Sequence, residues 1–140
     1  MKQVHDGDTV DFVNLYGVVV RGRLYGMDAP EHGQVGFRGA RRFLVALLAV
    51  GPLEVTLLKG DAWGREVVRV VNGAGDDCSR AMVAAGWAWW YRRYNPRDLH
   101  LARAEQAAKA SGVGIWARGD NIPPWSWRRG VRERRPGGPK

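Results

Sequence analysis

Residues 9–25 read Thr-Val-Asp-Phe-Val-Asn-Leu-Tyr-Gly-Val-Val-Val-Arg-Gly-Arg-Leu-Tyr. Thr9 to Val13 alternates polar residues with Val10 and Phe12, Val18 to Tyr25 is rich in β-branched residues, and Asn14-Leu15-Tyr16-Gly17 between them has turn chemistry. Period-two alternation on either side of such a turn predicts a β-hairpin.

Working outward, Gly26 to Gln34 holds Gly, Asp, Pro and His and reads as a loop. From about Val35 to Val50 the residues Phe37, Ala40, Phe43, Leu44, Leu47 and Leu48 fall on one helical stripe, which Gly51-Pro52 ends. Leu53 to Lys59 and Glu66 to Val71 form a second pair of β-rich runs around Gly60-Asp61-Ala62-Trp63-Gly64-Arg65. Asp76 or Asp77 suits the cap of a short helix through Ala85, and a longer helix follows from about Arg97 to Ser111 with Gly112 after it. Clustered strands with short links and helices around them predict an α+β fold, a small antiparallel barrel flanked by helices.

At 140 residues the chain has room for one core and one site. Hydrophobic residues make up 45% and charged residues 26%, so a packed domain is expected rather than disorder. The formal charge of +8 favours an anionic partner such as nucleic acid or a membrane surface. It is unevenly spread: residues 128–140 hold six basic residues and one acid, +5 of the total, leaving +3 for residues 1–127. The expected organisation is one domain over 1–127 and a basic, disordered tail over 128–140, either a solubilising end or a non-specific phosphate anchor. A single cysteine, Cys78, excludes an internal disulfide and is expected to be a small buried residue. No stretch approaches the ~20 apolar residues of a membrane span, and no apolar leader core opens the chain. A monomer without membrane partners is expected, cytoplasmic if full length and secreted or periplasmic if a mature fragment.

Chemistry concentrates at strand ends and loops. Asp6-Gly7-Asp8-Thr9 opens the first strand, and Asp28-Ala29-Pro30-Glu31 follows the hairpin. Hard divalent cations take oxygen ligands, and a phosphodiester site needs only one or two carboxylates because water and substrate supply the rest. Arg23 and Arg65 lie where they can face the acids, and the planar fork of arginine suits phosphate. Singly each motif is an ordinary turn or a solvated strand end. The histidines His5, His32 and His100 are scattered without ligand spacing.

Together, Asp6-Gly7-Asp8-Thr9, then Arg23-Leu24-Tyr25-Gly26-Met27-Asp28-Ala29-Pro30-Glu31, then Asp61-Ala62-Trp63-Gly64-Arg65 resemble the staphylococcal nuclease (thermonuclease) family in order and spacing. The likeness runs on through Gly86-Trp87-Ala88-Trp89-Trp90-Tyr91, Ala104-Glu105-Gln106-Ala107-Ala108 and Gly114-Ile115-Trp116, with Pro124-Trp125-Ser126-Trp127-Arg128 like the ending of bacterial members. The resemblance implies a five-stranded oligonucleotide-binding (OB-fold) barrel with three α-helices and a calcium-dependent endonuclease cutting DNA and RNA to 3′-phosphate ends. By the same resemblance Asp8, Asp28 and the Ala29 carbonyl hold Ca2+. Glu31 orients or deprotonates the attacking water, and Arg23 and Arg65 bind the phosphate. Trp63 and Tyr91 are the candidates for base stacking, against the reading that the tryptophan run packs the core.

Two departures stand out. Ala29 replaces a threonine of the best-known member, which leaves a backbone ligand intact, and only Met1 to His5 precede the Asp-Gly-Asp-Thr motif, so the first strand is short or residues lie upstream. Two other readings stay open: a non-catalytic nucleic-acid-binding module on the same fold, and a scaffold whose basic tail does the binding.

Overall fold

The computed structural model describes residues 1, 3–60 and 64–132. The β-hairpin is present as β2 (Thr9–Val13) antiparallel to β3 (Val19–Leu24), with Val10 opposite Gly22 and Phe12 opposite Val20. Its turn is closed by the Asn14 side chain, which accepts from the amides of Tyr16 and Val18 at 2.9 and 3.0 Å, and Gly17 supplies the positive φ of 76° that the reversal needs. The second hairpin pairs β5 (Glu54–Gly60) with β6 (Glu66–Val71), with an irregularity between Leu57 and Lys59. A two-residue β1 (Gln3–Val4) joins the other edge, opposite Asp11 and Val10.

The sheet order is β1-β2-β3-β6-β5, and β3 runs parallel to β6. The α+β class and the five strands therefore stand, but the expected closed barrel is corrected to an open, mixed sheet. Among the described residues β1 and β5 are its two edges, and a two-residue β1 offers too few backbone groups to close the ring. The region expected as a pure loop holds a further short strand, β4 (Met27–Asp28), paired with β7 (Trp89–Trp90).

The expected helices appear as α1 (Phe37–Leu48), α2 (Cys78–Ala84) and α3 (Leu99–Ser111). Their ends follow capping chemistry: the Asp77 carboxylate accepts from the Arg80 amide, the Asp98 carboxylate from the Leu101 amide, and Gly112 closes α3 in the left-handed region. Three becomes four, because α4 (Pro124–Arg128) follows with Pro124 at its start. The expected boundary after Trp127 falls inside α4. Residues 133–140 of the predicted tail lie outside the described residues. No helix among the described residues is long and apolar enough to cross a membrane.

The core sits between the sheet and the helices. Val10, Leu24, Val68 and Val70 from the strands meet Leu44 from α1, Met82 and Val83 from α2 and Leu101 from α3, all 1% exposed or less. Each large apolar side chain so buried contributes about 1.5–3 kcal/mol relative to exposure. Cys78 is buried in the same cluster, as expected, where burial and the charges of Asp77 and Asp76 push its thiol up to about 11. Within the tryptophan run, Trp89 is buried and stacks edgewise on Trp116 at 5.1 Å, so packing accounts for it.

Candidate active site

The site begins with a turn. The Asp6 carboxylate accepts from the backbone amides of Asp8 and Thr9 at 3.0 and 2.9 Å, which bends the chain into β2. Gly7 lets this turn press against its neighbours, since a Cβ there would stand 2.7 Å from the Ala29 Cβ and 2.9 Å from the Ala40 Cβ. Asp8 is thereby aimed inward, accepting from the Thr9 hydroxyl at 2.9 Å through Oδ1 and from the Ala29 amide at 3.0 Å through Oδ2. That last bond ties the mouth of β2 to the residue after β4.

Asp28 stands on β4 opposite Trp89 and is fully buried. The short ladder between β4 and β7 is itself anchored from α3, where the buried Glu105 carboxylate accepts from the Trp90 amide at 2.7 Å. Arg23 lies on β3 opposite Thr9 of β2 and Val67 of β6. One of its nitrogens, Nη2, donates to the Met27 carbonyl and to Asp28 Oδ1, both at 3.3 Å, and lies 3.8 Å from Asp8 Oδ2. One guanidinium thus bridges two carboxylates that are twenty residues apart in the chain. Glu31 follows in a closed loop: its amide donates to Gln34 Oε1 at 2.9 Å, its carbonyl accepts from the Gln34 amide, and the Gln34 side chain donates to the Ile122 carbonyl at 2.7 Å.

These residues open onto one cleft of about 980 Å³, whose lining includes Asp8, Arg23, Asp28, Glu31, Arg65 and Tyr91. Arg65, half-buried at the entrance to β6, shares that wall with Lys59 and Gly60 of β5. Of the predicted site residues that are described, only Ala29, which is buried, is absent from the lining. Trp63 lies outside the described residues. The Tyr91 ring stacks on Trp125 with centroids 5.4 Å apart at 15°, and the Arg23 guanidinium carbon is 5.4 Å from its centroid. A base stacking on Tyr91 has to share or displace these neighbours.

Arg128, counted from the sequence in the tail, is corrected to a residue of this site. From the end of α4 it donates to Asp28 with both terminal nitrogens, Nη2 to Oδ2 at 2.7 Å and Nη1 to Oδ1 at 3.2 Å, and Nη1 also donates to Glu31 Oε1. A signal was available in Pro124-Trp125-Ser126-Trp127: proline at a helix start beside two tryptophans marks a segment that packs rather than one that trails in solvent.

Electrostatically the cleft interleaves carboxylates with arginines. Burial, then the Asp8 charge, push Asp6 up to about 8, and burial pushes Asp28 up to about 6 against the pull of Arg128 and Arg23. Asp8 is equally desolvated, yet the Arg23 charge and its hydrogen bonds hold it below the ordinary carboxylate range. Asp8 and Asp28 both reach the same Arg23 nitrogen, and the Asp8 charge adds to burial in raising Asp6, a repulsion that a cation beside the carboxylates would relieve. This donor set fits a hard divalent cation. No three His, Cys, Asp or Glu side chains converge to hold a metal among the described residues, so a cation here draws further oxygens from backbone, water or substrate.

Buried carboxylates bridged by arginines in an open cleft of a β-scaffold have the charges that a cation and a phosphate ester need. Residues 21–118 match the family described as staphylococcal nuclease homologue. An endonuclease of Escherichia coli O157:H7, itself uncharacterized, is 35% identical over 90% of this chain and 81% of its own length. A micrococcal nuclease of Shigella flexneri is 32% identical over 91% of this chain and 78% of its own. The protein called ParB of Escherichia coli is 34% identical over 95% and 80%. The chain belongs to the staphylococcal nuclease family, and nuclease action on nucleic acid is the activity that this membership and these names support.

Proposed function

We propose that this protein is a metal-dependent endonuclease, with calcium the cation in use, that hydrolyses DNA and RNA and leaves 3′-phosphate ends. The observation that carries the reading is the convergence of Asp8, Arg23, Asp28, Glu31 and Arg65 on one cleft. Asp8, Asp28 and the Ala29 carbonyl are assigned to the cation, which when bound supplies positive charge to the phosphate oxygens. The chain's own groups do the rest. Glu31, half-buried at the cleft, accepts the proton of the attacking water. Arg23 and Arg65 donate to the phosphate oxygens as charge accumulates on them, an electrostatic contribution larger in a partly desolvated cleft than in water. The water oxygen bonds to phosphorus, the bond to the 5′ oxygen breaks, and that oxygen takes a proton from solvent. Tyr91, and Trp63 from the sequence, are assigned to the flanking bases.

The test is degradation of single-stranded DNA, duplex DNA and RNA with calcium, magnesium or chelator, followed by analysis of the product ends. Calcium-dependent cleavage of both polymers to 3′-phosphates is the expected result. Tight binding with no cleavage under any cation would replace the enzyme with a binding module.

A further inference from the structure

We infer that Arg128 is a resident counter-cation of the site, mutually exclusive with a divalent cation on Asp28, and that cation loading hands its guanidinium over to the substrate phosphate. The inference rests on the assignment of Asp8 and Asp28 to the cation. Arg128 engages both oxygens of a fully buried Asp28 and also Glu31. Arg128 on both oxygens and Arg23 on Oδ1 fill most of the roughly four lone-pair sites of the Asp28 carboxylate, so little is left for a metal ion while both arginines stay in place. In this arrangement Asp28 and Glu31 are each tied up by the same side chain, while Asp8 is not paired with it. Arginine supplies the positive charge at both of those carboxylates, Asp28 and Glu31.

The attachment of Arg128 suits release. Its side chain is 37% exposed, whereas Arg23 is 16% exposed. Arg23 is held on a central strand hydrogen-bonded on both sides, but α4 is five residues long and bears on the cleft through Trp125 on Tyr91 and through Arg128 itself. When a cation takes Asp28, the freed guanidinium stays at the wall of the cleft, which it lines together with Arg23 and Arg65. There it becomes a third arginine for phosphate, whose bidentate geometry it matches.

The test compares the native protein with Arg128→Gln, which keeps a polar end on a shorter side chain but removes the charge, after thermal melts verify that both are folded. Calcium affinity is measured by calorimetry without substrate, and KM and kcat on single-stranded DNA at saturating calcium. The expected result has opposite signs in one variant: calcium binds about tenfold more tightly, the scale of one charge removed at a partly screened site, while KM for DNA rises several-fold. Damage to the site would weaken both. Unchanged or weaker calcium binding by Arg128→Gln overturns the exclusion, and an unchanged KM overturns the transfer to phosphate. Should neither protein bind calcium, magnesium or manganese, the cation assignment fails and the inference falls with it. In the native protein, the Arg128 side-chain NMR resonances are expected to shift on adding calcium, and their indifference would contradict the exchange even if the variant did not fold.

Discussion

The cleft has two walls built in different ways. The wall formed by Asp8, Arg23 and Asp28 is part of the fold: Asp8 is tied to the Ala29 amide, Arg23 stands on a central strand, and Asp28 is on a strand ladder anchored by Glu105. The wall formed by α4 comes from the far end of the chain, with the Arg128 side chain reaching back 100 residues to Asp28. The groups that must hold geometry are thus placed where backbone hydrogen bonds fix them, and the group free to exchange is on a short helix at the edge. Precision and exchange are divided between two segments of one site.

Substitutions that separate chemistry from scaffold sharpen this comparison. Arg23→Ala is expected to lower kcat by about a thousandfold, the upper range for one transition-state donor, and also to lower the melting temperature, because Asp28 and Asp8 lose a buried partner. An Arg23→Ala protein that melts like the native one would place Arg23 outside the scaffold wall. Next in size, Leu24→Ala, which empties a buried position beside Arg23, should cost about 2–5 kcal/mol in chemical denaturation and reduce activity in proportion to unfolding. Trp125→Ala works on the other wall. Loosening α4 should move calcium affinity in the same direction as Arg128→Gln, with a melting shift of only a few degrees, and a shift as large as that of Leu24→Ala would mean that α4 is integral to the core.

The smallest effect belongs to Asp11 of β2, which is not among the cleft-lining residues. The hydrogen bond from Arg21 to Asp11 at 3.0 Å holds that carboxylate below its ordinary range. A group whose folded value is depressed contributes stability above the unfolded value and loses it as pH falls through the folded one. Asp11→Asn should therefore lower the melting temperature slightly at neutral pH, with the difference vanishing in strong acid. A difference that persisted at low pH would assign the effect to packing.

What was legible in the sequence follows the same division. The scaffold wall was readable because its parts are local: a turn at Asp6-Gly7-Asp8, an alternating hairpin carrying Arg23, and Asp28 just beyond it. Both hairpins and three helices could be read from periodicity and caps for the same reason. The parallel pairing of β3 with β6 could not, since period-two alternation does not say which strands meet or in which direction, and with it went the open sheet. Arg128 was missed because its partners are remote and because it begins a run of arginines, glycines and prolines that looks solvated as a whole. The roles of Asp8, Arg23, Asp28, Glu31, Arg65 and Tyr91 were drawn from resemblance, and geometry adds that they share a cleft.

Arg65 offers the most direct test of the central claim, because it lines the cleft from the entrance to β6, away from the cluster of Asp8, Arg23 and Asp28 and from α4. The measurement is single-turnover cleavage of labelled single-stranded DNA by native and Arg65→Ala protein, with calcium and with chelator. The account predicts calcium-dependent cleavage by the native protein and a loss of about a hundredfold or more in the variant, which still melts like the native protein. Cleavage by Arg65→Ala at the native rate, or native cleavage indifferent to chelator, would contradict it.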